Sequence, residues 1–220
     1  MGKSVYSLVL MDEVIEEIDK EAGRLGLSRS NLINSILAQH VSFTTPQQRT
    51  QNAFSEISKI IGAMKYLSVA SEGDSIISVR SPISYKYNPT VRYSFAVLDL
   101  TSNPFGEIKA AFRTQSREFI YYVNIFFKMW HNLENSLAGD AFSGGVEAEI
   151  SDGKYIRKLK LPKNIRAAEA EIVGRVVAEY IKLLDWSIKL YFKNLGNENQ
   201  VFVNIENEYL KFASNNTFIV

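Results

Sequence analysis

The sequence predicts an α+β protein in two parts: a short strand followed by two helices within residues 1–45, and a larger domain over 46–220 built of antiparallel strands and long helices. Three observations predict it. Residues 4–10 alternate in the manner of a strand, and two apolar stripes at helical spacing follow within 12–41. Short β-rich runs after Gly73 are punctuated by Pro82, Asn88-Pro89, Asn103-Pro104 and Asp152-Gly153. Two long stretches, 115–137 and 165–195, carry apolar residues at helical periodicity.

The first strand places Tyr6, Leu8 and Leu10 on one face and Lys3, Val5, Ser7 and Val9 on the other. Acidic residues at Asp12, Glu13, Glu16 and Glu17 suit the positive end of a helix dipole. Val14, Ile15, Ile18, Ala22 and Leu25 make the stripe of that helix, and Gly26 stands where its C-terminus requires positive φ. Ser28 then caps a second helix whose apolar side is Leu32, Ile33, Ile36, Leu37 and Val41. A lone strand this short leaves its ladder unmade. A second copy of the chain, paired antiparallel about a two-fold axis, completes it. A helical hairpin capping a larger domain is the alternative reading of the same residues.

In the larger domain, 42–51 reads as a polar linker, and Thr45-Pro46-Gln47-Gln48 as a capping box opening a helix. Phe54, Ile57, Ile60, Ile61, Met64 and Leu67 form its stripe, as a connecting helix or a second dimer contact. Strands are expected at 76–79, 83–87, 91–98 and 107–113. The 115–137 helix is apolar nearly all round, which places it in a core. Runs 146–150 and 155–161 flank Asp152-Gly153 as a hairpin. The 165–195 helix stops at Gly196, and an apolar run at 201–205 precedes the tail. No internal repeat is visible.

Composition narrows the chemistry. The 220 residues contain no cysteine and two histidines, His40 and His131. Thiolate metal sites, disulfides and a cysteine nucleophile are excluded, and a multi-histidine metal site is disfavoured. No phosphate-binding glycine loop occurs. The expectation is therefore no catalytic residue, no metal and no cofactor. His131 reads as a core or rim residue and His40 as a helix-end charge. Glu147 and Glu149 read as a solvated strand face, and Glu169 and Glu171 as first-turn acids of a helix. Arg157, Lys158, Lys160 and Lys163 form a local basic cluster, open to DNA phosphate or simply solvated. Tyr85, Tyr87, Tyr93, Tyr121, Tyr122, Phe126 and Trp130 line either a pocket or a filled core. The longest apolar stretch, near 119–130, is too short for a bilayer span, and no signal peptide is visible, which predicts a cytoplasmic protein.

Residues 4–41 resemble the ribbon-helix-helix proteins of the Arc, MetJ and CopG type. The resemblance rests on Val5-Tyr6-Ser7-Leu8-Val9-Leu10, on the helix from Asp12 to Leu25, and on the turn Gly26-Leu27-Ser28-Arg29-Ser30. In that family two paired strands enter the major groove and alternate side chains read base edges. The resemblance implies that Val5, Ser7 and Val9 face the bases with Lys3 at the rim, and that Tyr6, Leu8 and Leu10 face the dimer core. It implies phosphate contact by Ser28, Arg29 and Ser30 at the second helix's N-terminus. The sequence departs from the family's habit in offering two valines on the reading face, which suit thymine methyls or exclude bases by shape. The segment is also acidic: Lys3, Lys20, Arg24 and Arg29 stand against Asp12, Glu13, Glu16, Glu17, Asp19 and Glu21. Those acids face solvent away from DNA, or binding takes several dimers side by side, or the segment serves dimerisation alone.

The expected function is a prokaryotic, phage or plasmid-type transcriptional regulator, repressor-like and homodimeric, binding double-stranded DNA. The 46–220 domain oligomerises, senses a small ligand or recruits a protein. The alternative is an antitoxin or plasmid-segregation adaptor whose large domain binds another protein; an enzyme tethered to DNA is the third reading.

Overall fold

The structure is a computed structural model and describes residues 5–163 and 168–216. The chain divides into two compact units, Met1–Thr45 and Pro46–Val220. Lys3 and Ser4, assigned to the first strand, and Ile165, assigned to the start of a helix, lie outside the described residues.

In the first unit, α1 (Asp12–Leu25) and α2 (Arg29–His40) form a hairpin. Gly26 has φ 66°, the left-handed value a helix stop requires. The Leu27 amide then reaches back to the Ala22 carbonyl at 2.9 Å. Ser28 caps α2, its Oγ accepting from the Asn31 amide at 3.3 Å. Asp12 and Glu13 occupy the first turn of α1, as the dipole prefers. The hairpin buries only Ala22, Leu32 and Ala38. The expected strand is corrected: residues 5–11 belong to no regular element. The physical reason is that a strand is defined by its ladder, and this segment pairs with no strand among the described residues.

The second unit has the element order α3 (Pro46–Gly62), β1 (Ser68–Glu72), β2 (Ile76–Pro82), β3 (Thr90–Val97), β4 (Gly106–Phe112), α4 (Arg117–Ala138), β5 (Ala148–Ser151), β6 (Lys154–Leu159), α5 (Ala170–Lys193) and α6 (Glu198–Asn215). The strands make one six-stranded antiparallel sheet in the order β1-β2-β3-β4-β6-β5. The domain is thus α+β, as expected. Alternation decides which face goes inward. Val91, Tyr93, Phe95 and Val97 of β3 are buried, as are Ile108, Ala110 and Phe112 of β4 and Tyr155 and Leu159 of β6. Helices cover that face. Phe54 of α3 meets Phe95 edge-on with ring centres 6.0 Å apart. Asp185 of α5 accepts a hydrogen bond from Tyr93 at 3.1 Å. α5 is the most enclosed helix, with apolar side chains inward from Ala170 to Phe192.

Several expected elements shift. Pro46–Gln51 is already the first part of α3 rather than linker, and Met64 and Leu67 lie beyond its end. α3 packs on α5 inside this unit, which settles it as a core helix. Residues 83–87 are a turn, not a strand. Tyr87 and Asn88 take φ 64° and 42°, and the Ile83 amide bonds to the Pro89 carbonyl at 2.8 Å, closing β2 onto β3. Ile83 and Tyr85 alternate because both reach the core, not because a ladder pairs them. Asp152-Gly153 makes the expected hairpin, with φ 43° and 73° at its two residues. The 201–205 run belongs to α6, whose stripe Val201, Ile205, Tyr209 and Phe212 is buried.

Candidate nucleic-acid interface

The first unit exposes what a folded unit ordinarily hides. Val5 is 99% and Val9 102% exposed, while on the alternate face Tyr6 is 82%, Leu8 61% and Leu10 39% exposed. Ser7 is exposed as well. A shallow apolar groove runs between α1 and α2, floored by Val14, Ile18, Leu32 and Ile36 and rimmed by Glu13, Glu17 and Glu21. Leu37 and Val41 are also half exposed or more.

The N-terminus of α2 carries the three residues expected to hold phosphate. Ser28 is spent on the cap, but its hydroxyl hydrogen stays available to an acceptor. Ser30 is exposed in the first turn, where helix amides have no intrahelical partner. Arg29 makes a two-pronged ion pair with Asp19 of α1: its Nε donates to Oδ1 at 2.6 Å and its Nη2 to Oδ2. The hydrogen bond from Arg29 holds the Asp19 carboxyl below its ordinary pKa and raises that of the guanidinium. The pair fastens the start of α2 to the middle of α1 and points the helix N-terminus. Asp19 is a residue that sequence reasoning treated only as one acid among several. Its signal was weak, because the two partners are ten residues apart on different helices. Glu17–Lys20 and Glu21–Arg24 are i,i+3 pairs on the surface of α1, so part of the acidity there is internally neutralised. The first and second candidate groups, Val5, Ser7, Val9 and Ser28, Arg29, Ser30, therefore all lie in one small unit.

The basic cluster of the larger domain does not survive folding as a cluster. Arg157 turns inward, 2% exposed, and its Nη1 donates to Glu134 at 2.6 Å. Lys158 and Lys160 both bind Glu147, and Lys163 donates to the Asp140 carbonyl at 2.9 Å. A strand interior position took the arginine because Tyr155 and Leu159, two residues either side, face the same way.

Glu134 is the centre of a buried polar network. Tyr180 donates to its Oε1 at 2.7 Å, Tyr155 to its Oε2, and Trp130 Nε1 donates to the Tyr180 oxygen at 3.0 Å. Burial, with the Glu134 charge alongside, pushes the hydroxyls of Tyr155, Tyr180 and Tyr209 well above the usual tyrosine range. A second buried group joins Asp185 to Tyr93 and to Lys189, which donates at 2.6 Å and also reaches Ser81 at 2.7 Å. These polar atoms are enclosed by packed rings: Phe126, Tyr180 and Tyr209 lie with centres 5.6–6.2 Å from Trp130. The seven aromatics considered as a pocket lining separate: Tyr93, Phe126 and Trp130 are buried in the core, whereas Tyr87 and Tyr121 face solvent. His131 is half-buried and pairs its Nε2 with Asn135 at 3.1 Å. Among the described residues no group of three metal-ligating side chains converges, and no helix is long and apolar enough to cross a membrane. Comparison with protein-family models, curated proteins and solved structures finds no match for this chain.

Proposed function

We propose that two copies of residues 1–45 pair through the segment around 5–10 to form an antiparallel ribbon that enters the major groove of double-stranded DNA, making the protein a repressor-like transcriptional regulator. The observation that carries this reading is the alternating segment 5–10, which precedes α1 with its side chains exposed. Beside it, a hairpin with three buried residues has too little core to stand by itself, and the groove of Val14, Ile18, Leu32 and Ile36 is the apolar surface a second copy would cover. A ribbon of two such strands matches the width of the major groove. Val5, Ser7 and Val9 would then meet base edges, with Lys3 at the rim. Ser28, Arg29 and Ser30 would meet phosphate at the positive end of α2. In this reading the 46–220 domain contributes oligomerisation, ligand sensing or partner recruitment.

The test joins a mobility-shift assay over a genomic fragment library to sedimentation of the free protein. Expected are a dimer and a retained subset of fragments sharing a two-fold symmetric motif. Ser30→Glu, which sets a carboxylate at the phosphate position, is expected to weaken retention at least tenfold. No shift at low salt, or a monomer at micromolar concentration, overturns the reading.

A further inference from the structure

The sheet of the larger domain has a second face, turned away from the helices. Strand pairing sets Ser68, Arg80, Arg92, Ala111, Lys154 and Ser151 in one row across all six strands on that face. Lys109 stands in the neighbouring row, between Ser94 and Ile156. Arg80, Arg92 and Lys154 are exposed and Lys109 is half-buried. Arg80 and Arg92 are direct cross-strand partners, a placement in which like charges repel.

None of these four cations has an ion-pair partner among the described residues. On the helices, by contrast, Lys59, Lys182 and Lys211 each sit three residues after a glutamate and pair with it. Two carboxylates do lie on the open face, Glu107 and Glu149, both outside the row of arginines. Lys158, also on this face, is already bound to Glu147.

The surface between the cations is low. Ser78, Ser94, Ala96 and Ala111 project little, and the two serine hydroxyls bond each other at 3.0 Å. At a strand spacing of about 4.8 Å, the strip from Arg80 to Lys154 is about 14 Å long. A face this poor in large apolar side chains does not suit an obligate protein interface. Uncompensated cations around small polar residues instead suit a chain of phosphates, whose bound counterions are released when cations replace them.

We propose that this open sheet face, through Arg80, Arg92, Lys109 and Lys154, binds the phosphate backbone of duplex DNA as a contact site additional to the first unit. The choice of duplex DNA as the polyanion rests on the function proposed above; the cationic strip itself does not.

The experiment measures binding of the full chain to a fluorescent 30-base-pair duplex by anisotropy, across a salt series. The first variant is Arg80→Gln/Arg92→Gln/Lys154→Gln, three exposed positions, with its melting temperature checked against the parent. The control is Lys59→Gln/Lys182→Gln/Lys211→Gln, which removes the same charge from the helices. Ser7→Asp/Ser30→Glu disables the first unit, and Arg80→Lys/Arg92→Lys keeps the charges. The sheet variant is expected to weaken binding at least about tenfold and to lower the salt slope by about 0.9 for each lost phosphate contact. The control and the lysine variant are expected to bind as the parent does.

Parental affinity and slope in the sheet variant overturn the proposal. If the Ser7/Ser30 variant loses binding at the same time, the DNA function survives that failure. Loss in the sheet variant with none in the Ser7/Ser30 variant overturns the ribbon reading and leaves the sheet face standing. Equal loss in the control reduces the effect to overall charge and overturns the proposal. Tighter binding to single-stranded RNA of the same length overturns the assignment to duplex DNA, and absence of any duplex binding by the parent overturns both readings.

Discussion

At the scale of single residues, the pair Glu134–Arg157 carries the highest stakes. Both side chains are essentially closed to water, at 0% and 2% exposure. A charge left alone there has no solvent to fall back on, so removing one partner costs more than the intact pair is worth. Arg157→Met is therefore expected to destabilise the fold by about 3–5 kcal/mol, read as a fall in the urea midpoint. Glu134→Gln/Arg157→Met, which removes both charges, is expected to lose less than the single change; a larger loss in the double variant would refute this account. The Arg29–Asp19 pair differs because it is exposed. Its contribution lies in aiming the start of α2 rather than in stability.

At the scale of elements, two glycines decide how closely the chain can pack. A Cβ on Gly174 of α5 would lie 2.3 Å from the Ala53 carbonyl oxygen of α3. The helices touch backbone to backbone at that point, and no rotamer relieves the clash. Gly174→Ala is expected to cost about 1–3 kcal/mol or more through helix separation, lowering the melting temperature. Gly153, at φ 73°, would place its Cβ 2.5 Å from Ile120 Cδ1, a flexible side-chain end. Gly153→Ala is therefore strained by its backbone first and by α4 second, and a melting temperature unchanged by both glycine substitutions would contradict this packing account. Elements differ too in how legible they were. α1 was readable to the residue, because an acidic first turn and a glycine stop bracket its stripe. β1 was not read at all: Ser68–Glu72 is an edge strand without an apolar face, and only its ladder to β2 defines it. The 83–87 segment misled for the opposite reason, an alternating pattern that serves turn packing.

At the scale of the whole molecule, pH should act through groups whose pKa folding moves. Tyr93, Tyr155, Tyr180 and Tyr209 are held protonated by burial and by the nearby Asp185 or Glu134 charge. Their folded pKa lies above the unfolded value of about 10. The stability they contribute is whole below pH 10 and is lost as pH climbs toward their folded values, because the unfolded chain releases the protons first. Asp19, Asp99 and Glu147 are lowered by hydrogen bonds from Arg29, Thr101 and Lys160 respectively. Their contribution is present above about pH 4 and is lost as pH falls through the folded values. A melting temperature nearly flat from about pH 5 to 9, falling steeply above 10, is expected by calorimetry. A fall beginning well below pH 9 would show that these tyrosines do not govern alkaline unfolding.

The sequence by itself determined the α1–Gly26–Ser28–α2 hairpin, the Asp152-Gly153 turn and the presence of strands at β3, β4 and β6. Each follows from local rules: caps, positive φ and the periods of helix and strand. The resemblance of residues 4–41 named Lys3, Val5, Ser7, Val9, Ser28, Arg29 and Ser30 as DNA-contact positions, a role that belongs to the proposal above. Only the tertiary structure decided where charges end up. Arg157 went to Glu134 in the core, Arg29 to Asp19, and Arg80, Arg92, Lys109 and Lys154, scattered over some seventy-five positions of sequence, came to one open sheet face. Periodicity tells which side of a strand a residue takes. It does not tell which strands become neighbours, and charge pairing depends on neighbours.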